Sequence, residues 1–321
     1  MAIIGFRPNA WVLLAGVVLD LLLGDPNYPA HPVRLIGWTL SKIEDGLRRV
    51  GLDGYAGGIL LLLLLTAIWV GGIWTLLLVL PRTATLAVQV FFVYSLVALR
   101  DLLSHGRCVE RAARCNNLQA ARQAIAKLVG RDTLKMDLSA CRRAAIESLS
   151  ENLTDGFISP IFWYAVAGLP GLLLFKVVST MDSMVGYKTP RYLKFGWCGA
   201  RTDDLVNWIP ARVTWLLLSL MATILPGFSG KKAFRIGWRQ HSIVPGPNSG
   251  WSEAATAGAI CRRLIGPIWA GGKVVTNIWL GDPDDPPAAD SGDIRHAFIL
   301  IATTGILFAA LACSVIKLTF P

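Results

Sequence analysis

The longest uncharged stretch of this chain runs from Tyr55 to Leu80 and consists almost entirely of apolar residues. A helix over this stretch would be about 39 Å long at 1.5 Å per residue, enough to cross the apolar interior of a bilayer. Pro81-Arg82 ends the stretch, and a second apolar run returns from Thr83 to Leu99. The two runs predict a transmembrane hairpin, which excludes an ordinary soluble fold.

The composition supports this class. Hydrophobic residues make up 54% of the 321 residues and charged residues only 16%, which is too little charge to cover a soluble domain. The formal net charge of +10 comes from Lys and Arg between apolar runs, where the usual cause is membrane topology. No basic stripe with interleaved aromatic residues is present, which argues against nucleic-acid binding.

The other apolar runs are less regular. Trp11 to Leu23 is short for a full crossing, whereas Ala297 to Leu318 is long enough. The runs Phe157 to Val178 and Val206 to Leu225 contain prolines, which predict discontinuous helices whose ends line a cavity. The predicted fold is therefore an all-α polytopic membrane protein, a single integral-membrane domain over residues 1–321 with polar helical insertions at about 101–156 and 227–296.

Lys and Arg are concentrated in residues 25–54, 101–156 and 227–296, so the positive-inside rule predicts that these regions face the cytoplasm. Residues 179–205 would then emerge on the opposite side if every apolar run crossed. We prefer an arrangement in which 157–178 and 206–225 enter the membrane and return, because it keeps the polar motifs on the cytoplasmic side.

Several local predictions concern the polar regions. The proline-rich segment 24–34 is predicted to be a rigid connector before an amphipathic helix from Leu35 to Val50. Residues 104–156 are predicted to form two or three water-facing helices, with Asp132 or Thr133 as an N-cap. Ser252 is predicted to cap a helix that Glu253 begins.

The cysteines form no CxxC pair and fit neither a zinc site nor a disulfide framework. They are predicted to be free thiols: Cys108, Cys115, Cys141, Cys198, Cys261 and Cys313.

Glu147, Glu151 and Asp155 are spaced four residues apart in a predicted helix, beside Asn152. Such a ladder of carboxylates could hold Mg²⁺ together with substrate phosphates. The alternative is a solvated helix face, the usual explanation for acidic residues at this spacing.

A second group of polar residues lies beside apolar sequence. Asp182 stands among apolar residues, and Asp203 and Asp204 follow in the same region. Arg and Lys nearby can neutralise phosphate or carboxylate oxygens. The alternative is a set of intramembrane salt bridges that only hold helices together. No Walker A or GxGxxG motif is present, so the residues alone indicate a cytoplasm-facing site for anionic, phosphorylated ligands and Mg²⁺.

Five motifs occur in this order: LDLLLGDPNYPAHPVRLIG, GRDT, AAIESLSENLTDG, TMDSMVGYKTPRYLKFGWCGARTDDLVNWIPAR and PNSGWSEAA. Together they resemble the adenosylcobinamide-phosphate synthase family of cobalamin biosynthesis. The resemblance implies an ATP- and Mg²⁺-dependent ligase that joins adenosylcobyric acid to (R)-1-aminopropan-2-ol or its O-phosphate. It also implies a location in the lipid bilayer and association with other corrinoid-pathway enzymes.

For this reaction our own inference from the residues assigns catalytic roles to Asp182, Glu151 and Lys188, with Asp182 or Glu151 accepting the proton of the amine. The expected metal ligands are Glu147, Glu151, Asp155, Asp203 and Asp204. The expected substrate- and phosphate-binding residues are Asp25, His31, Arg34, Arg131, Asn152, Tyr187, Arg191, Arg201, Asn207, Arg212, Asn248 and Glu253.

Two other functions remain open. Broken helices around intramembrane charges are typical of secondary transporters, although no internal inverted repeat is visible and the polar regions are large. A non-catalytic membrane scaffold for a corrinoid pathway is the third interpretation.

Overall fold

The computed structural model describes residues 7–25, 28–270 and 273–320. Most of them are helical, as predicted. The helices are α1 (Ala10–Leu23), α2 (Pro32–Arg49), α3 (Tyr55–Thr66), α4 (Gly72–Val79), α5 (Arg82–Leu96), α6 (Leu99–Arg114), α7 (Leu118–Ile125), α8 (Leu138–Leu153), α9 (Ser159–Val185), α10 (Trp197–Val206), α11 (Trp208–Ile224), α12 (Gly230–Gln240), α13 (Ser249–Ile260) and α14 (Ser291–Thr319). The strands are β1 (Leu264–Ala270) and β2 (Lys273–Leu280), and single π-helical turns cover Ala67–Gly71 and Thr154–Ile158.

Within these residues, four helical segments are long and apolar enough to cross a membrane, or five if α10 and α11 count as one interrupted span. The four segments are Tyr55–Val79, Arg82–Arg114, Leu138–Val185 and Ser291–Thr319. Large apolar side chains such as Leu63, Trp74 and Val79 are exposed on the first of them. A surface of this kind is suited to lipid, and the chain is a polytopic helical membrane protein.

The predicted breaks are present. In α9 the backbone leaves the helical conformation at Ala167 and at Gly168, where φ is +63°. Pro170 follows, and its ring cannot continue the helical hydrogen bonding of the preceding turn. The helical run is also interrupted at Asn207, between α10 and α11. Whether these two runs cross the membrane or return stays a prediction.

The chain divides into two compact units. That they form a single integral-membrane domain stays a prediction. Unit 1 comprises residues 1–98, 159–207 and 309–321. Its core packs α2, α3 and α9 around side chains such as Leu40, Leu61 and Met181. Gly58 lets α3 approach the segment before α10 closely, because a Cβ at this position would overlap the carbonyl group of Phe195.

Unit 2 comprises residues 99–158 and 208–308, and α13 lies at its centre. Every residue of α13 from Gly250 to Ile260 is buried. Small side chains make this burial possible: a Cβ at Gly250 would overlap the backbone of His241. Because α13 is surrounded, any polar side chain on it, including that of Glu253, is carried into the interior.

Four local predictions are corrected. The proline-rich connector is shorter than predicted, because α2 begins at Pro32 rather than Leu35 and proline is well suited to a first helical position. The N-cap of α8 is Asp137, whose side chain accepts a 2.6 Å hydrogen bond from the Ala140 N–H, and neither Asp132 nor Thr133. Helix α8 is also largely buried rather than water-facing. Helix α13 begins at Ser249, so neither Ser252 nor Glu253 caps it.

The polar region 227–296 contains an antiparallel hairpin of β1 and β2 that was not predicted. The strands pair from Leu264 opposite Leu280 outward, with an irregularity between Ile268 and Trp269. The sequence signal is the Gly271-Gly272 dipeptide between two runs rich in β-branched and aromatic residues.

Candidate functional site

Glu147 anchors three parts of unit 2. It lies in α8 with 8% of its surface exposed. Nη2 of Arg131 donates a 2.6 Å hydrogen bond to Oε2 of Glu147, and the Ile265 N–H donates a bond of 2.9 Å to Oε1. The carboxylate therefore ties the loop before α8 and the start of β1 to α8.

The backbone at Ile265 is strained. Its φ is +69°, and a β-branched residue in this region is a genuine outlier. The next residue, Gly266, has φ +79°, and a Cβ there would meet the Trp279 ring at 2.8 Å. Such strain persists only where the surroundings hold it, and the bond to Glu147 is one such restraint.

Glu253 and Glu151 form a pair of acids in different environments. Glu253 has 5% of its surface exposed, whereas Glu151 is exposed. Burial raises the pKa of Glu253 well above its ordinary value, and repulsion from the carboxylates of Glu151 and Glu147 raises it further. Arg131 opposes this effect. The two acids therefore differ in accessibility, and Glu151 is the one that a substrate can reach.

The other predicted residues of unit 2 lie either on and just after α8 or beside Arg212. Asp155 lies in the π-helical turn after α8 and acts electrostatically on Glu253. The amide of Asn152 donates to the Ser148 carbonyl oxygen at 2.8 Å, within its own helix. Arg212 and Asn248 come together, with Nη1 of Arg212 3.4 Å from Oδ1 of Asn248.

An aromatic group around Arg212 was not predicted. The Arg212 guanidinium lies 4.2 Å from the Trp208 ring centroid and 4.9 Å from that of Trp251. The His241 ring stacks on Trp251 at a centroid distance of 3.8 Å. Trp208 lies one helical turn from Arg212, but Trp251 and His241 belong to other parts of the chain, so the sequence alone gave no signal of the arrangement.

In unit 1 the predicted acids Asp182, Asp203 and Asp204 are electrostatic neighbours. Oδ2 of Asp203 accepts a 3.0 Å hydrogen bond from Asn207, which in turn accepts one of 2.6 Å from Ser159. Asn207 is 2% exposed, so it acts as a buried support for Asp203. On the outside, Arg201 pairs with Asp204 at 3.4 Å.

The predicted cations of the following segment are at the surface. Tyr187, Lys188 and Arg191 are all exposed. Nη2 of Arg191 lies 3.2 Å from Oε1 of Glu44, and this hydrogen bond raises the pKa of the guanidinium. Arg191 therefore has a structural partner on α2, whereas the catalytic role of Lys188 stays a prediction.

The N-terminal predictions form a pair. Nε2 of His31 lies 2.9 Å from Oδ1 of Asp25, and His31 is buried. The Tyr94 hydroxyl donates to the Gly24 carbonyl oxygen at 2.8 Å, which fixes the end of α1 beside this pair. Arg34 is exposed on the first turn of α2.

No group of three or more His, Cys, Asp or Glu side chains in the described ranges is arranged to hold a metal ion. Mg²⁺ often binds through one or two carboxylates plus substrate phosphates, and this requires accessible oxygens. Glu151 fits that requirement. Glu147 fits it less well, because both of its oxygens already accept hydrogen bonds.

The profile of the CobD/Cbib protein family matches residues 13–301. The chain belongs to this family. A cobalamin biosynthesis protein CobD of Geobacter metallireducens is 40% identical over 314 residues, covering 96% of this chain and 98% of the relative. The CbiB protein of Salmonella choleraesuis is 36% identical over 305 residues, covering 92% and 95%. No solved structure matches the chain.

Membership in the CobD/Cbib family agrees with the resemblance inferred from the motifs, four of which lie in or beside the clusters described above. GRDT contributes Arg131, and AAIESLSENLTDG contributes the acids of α8. PNSGWSEAA carries Asn248 and Glu253, and the TMDSM segment carries Asp182.

Proposed function

We propose that the chain is an adenosylcobinamide-phosphate synthase. The reaction forms an amide between the f propionate carboxylate of adenosylcobyric acid and (R)-1-aminopropan-2-ol or its O-phosphate, with ATP as the energy source. Family membership supports the pathway, and the relatives are named for cobalamin biosynthesis. The observation that carries the chemistry is the buried Glu253 beside the accessible Glu151.

The chemistry needs two steps, because a carboxylate is a poor acyl donor. Transfer of the terminal phosphoryl group of ATP to a carboxylate oxygen gives an acyl phosphate and ADP. The amine nitrogen then attacks the acyl carbon, the bond to the phosphate oxygen breaks, and the nitrogen loses a proton. Mg²⁺, when bound, would neutralise phosphate oxygens during the first step.

We assign the proton-accepting role to Glu151, because it is the accessible member of the acid pair. Asp182 stays the alternative proton acceptor. The variant that tests it is Asp182→Asn, which replaces the carboxylate by an amide of the same size. The pKa of Glu253 is raised by burial and by the neighbouring carboxylates, which favours its protonated form, and in that form it can donate a hydrogen bond to a substrate oxygen. Arg131 is a candidate to bind a phosphate group, but its guanidinium is already paired with Glu147.

The direct test uses purified full-length protein in lipid nanodiscs with ATP, Mg²⁺, adenosylcobyric acid and the amine. We expect one ADP and one phosphate per amide, with the corrinoid product identified by mass. Corrinoid binding without ATP consumption would favour the transporter, and binding without any product would favour the scaffold. Either outcome would overturn the proposal.

We further propose that the polar region 101–156 faces the cytoplasm of a bacterial inner membrane. Cys108 and Cys115 are exposed free thiols in this region. In intact spheroplasts a membrane-permeant maleimide should label them, and an impermeant maleimide should not. A variant with both residues replaced by serine gives the background, and equal labelling by both reagents would contradict this orientation.

A further inference from the structure

Unit 2 contains two arginine doublets, Arg142-Arg143 and Arg262-Arg263, whose members differ in their partners. Nε of Arg142 lies 2.8 Å from Oε2 of Glu110, and Nε of Arg262 lies 2.6 Å from Oδ1 of Asp293. The second member of each doublet, Arg143 or Arg263, has no carboxylate within 4.0 Å in the part of the chain that the structure describes. Each doublet therefore has one neutralised and one unneutralised guanidinium.

The two unneutralised guanidiniums both lie close to the ring of Trp279. The Cζ atom of Arg143 lies 5.4 Å from the centroid of the Trp279 ring, and that of Arg263 lies 5.0 Å away. The segment after the hairpin fixes both residues. The Ala288 carbonyl oxygen accepts from Nη1 of Arg143 at 3.2 Å, and the Ala288 N–H donates to the Arg263 carbonyl oxygen at 2.9 Å.

Hydrogen-bonding capacity remains at this place. The Nε atoms of Arg143 and Arg263 are buried and have no hydrogen-bond partner among the described residues. A buried donor without a partner costs free energy, and more so in a charged group, so such donors normally have a ligand or water. A guanidinium that faces an aromatic ring keeps its N–H groups at the edge, where they can bind an anion.

The local charge balance also favours an anion. Arg131 lies near enough to repel the Arg143 guanidinium, although Asp137 and Glu147 attract it from beyond ion-pair distance. Glu147 is already engaged by Arg131, and Asp137 accepts from the N-terminus of α8. Each of these guanidiniums can contact phosphate oxygens in bidentate fashion, and both lie within 5.4 Å of the same ring centroid.

We propose that Arg143 and Arg263 form a phosphate-binding site beside Trp279 and hold a phosphate group of a substrate. The existence of the site rests on its geometry. The identity of the substrate rests on the proposed function, under which the phosphate belongs either to ATP or to O-phosphorylated aminopropanol. These two sources share the same chemistry and are separated by the second experiment below.

The first experiment measures binding of tripolyphosphate to the full-length protein by calorimetry at physiological salt. We expect Arg263→Gln and Arg143→Gln each to weaken binding at least tenfold, about 1.4 kcal/mol. Arg239→Gln is the matched control, because Arg239 is an exposed cation on α12 that makes no hydrogen bond or ring contact with Arg143, Arg263 or Trp279 among the described residues. The affinity of this variant should be unchanged. Unaltered affinity in both doublet variants would overturn the proposal.

Arg263→Lys guards against misfolding, because it keeps the positive charge and removes the bidentate donor pair. It should remain folded by thermal unfolding and still bind tripolyphosphate more weakly than the wild type. Wild-type affinity in a folded Arg263→Lys protein, together with wild-type affinity in Arg143→Lys, would also count against the site. None of these measurements needs turnover. The phosphate-binding site can therefore be disproved while the proposed function stands, and the proposed function can be disproved while the site stands.

The second experiment compares Michaelis constants of Arg263→Lys. A raised KM for ATP with either amine assigns the site to the nucleotide. A raised KM for the phosphorylated amine, with an unchanged KM for aminopropanol and ATP, assigns it to the amine phosphate. Unchanged Michaelis constants for all three substrates would exclude the site from the reaction.

Discussion

Two buried glutamates, Glu44 in unit 1 and Glu253 in unit 2, have the same exposure of 5% but opposite surroundings. Oε1 of Glu44 accepts from Nε of Arg48 at 2.8 Å and from Nη2 of Arg191 at 3.2 Å. The charged groups that act most strongly on Glu253 among the described residues are three carboxylates and the Arg131 guanidinium. Burial alone therefore does not identify a functional acid, whereas a carboxyl group without compensating cations is a candidate for chemistry.

The comparison assigns Glu44 to the fold. Two arginines on one carboxylate oxygen join α2 to the segment before α10, and Arg48 also lies 4.4 Å from the Phe195 ring centroid. Nothing in this arrangement needs a ligand. The cluster around Glu253 would instead be stabilised by protonation or by a bound cation, and under the proposed function the amine substrate is one such cation.

The largest expected effect is that of Glu151→Gln on turnover. Removal of a proton acceptor costs about 10²–10⁴-fold in rate, so amide formation should fall by at least a hundredfold while the protein still inserts and folds. The readout is amide formed per minute in the nanodisc assay. Asp45→Asn, an exposed acid on α2, should retain the wild-type rate, and so should Glu151→Gln if Glu151 lies outside the site.

Next in size is the effect of Glu147→Ala on stability. This change leaves Arg131 and the Ile265 N–H without their acceptor, and breaking a buried pair typically costs about 3 kcal/mol or more. The measurement is unfolding in mixed detergent micelles. Glu44→Ala should cost less, because the Arg191 side chain is 60% exposed and can recover water. Equal losses of unfolding free energy in the two variants would contradict the distinction between Glu147, whose partners are buried, and Glu44, whose partner Arg191 is partly solvated.

Glu253→Gln should change the pH dependence of stability. Because the pKa of Glu253 is raised, the folded protein retains this proton at pH values where the unfolded chain has lost it. Its contribution is complete below the ordinary carboxyl pKa of about 4.3 and is lost as pH rises toward the raised value.

The glutamine variant lacks this loss. Its unfolding free energy should therefore increase relative to that of the wild type as pH rises above the ordinary carboxyl pKa of about 4.3. Parallel curves would show that Glu253 ionises normally. The control is the pH dependence of unfolding in Glu44→Gln, because Glu44 is equally buried but has two arginine partners.

The smallest effect is expected for Arg201→Gln. The pair between Arg201 and Asp204 is 3.4 Å long, and the Arg201 side chain is 69% exposed. Surface pairs of this kind contribute about 0–1 kcal/mol, so unfolding should change by less than that. A fall in the apparent affinity for ATP without a change in stability would instead support the predicted phosphate role of Arg201.

The membrane helices and their breaks were predictable, because they follow from the length of apolar runs and the positions of Gly and Pro. The segment Tyr55–Leu80 and the break beside Pro170 are examples. The anchoring role of Glu147 was not predictable, because its partners Arg131 and Ile265 are 16 and 118 residues away in sequence. The same holds for Arg143 and Arg263, which Trp279 brings together.

Local chemistry explains the smaller errors. Asp132 and Asp137 are both suitable N-caps, and only the packing of α8 decides between them. The small residues after Glu253 were correctly predicted as helical, but the burial of α13 comes from its neighbours. The hairpin had a sequence signal, which the surrounding polar composition obscured.

The measurement that tests the proposed function most directly is the stoichiometry of ATP consumption in the complete nanodisc reaction. The account predicts one ADP and one phosphate for each amide, dependent on both the corrinoid and the amine, with at least a hundredfold loss in Glu151→Gln. ATP consumption that does not depend on the amine, or full activity in Glu151→Gln, would contradict it.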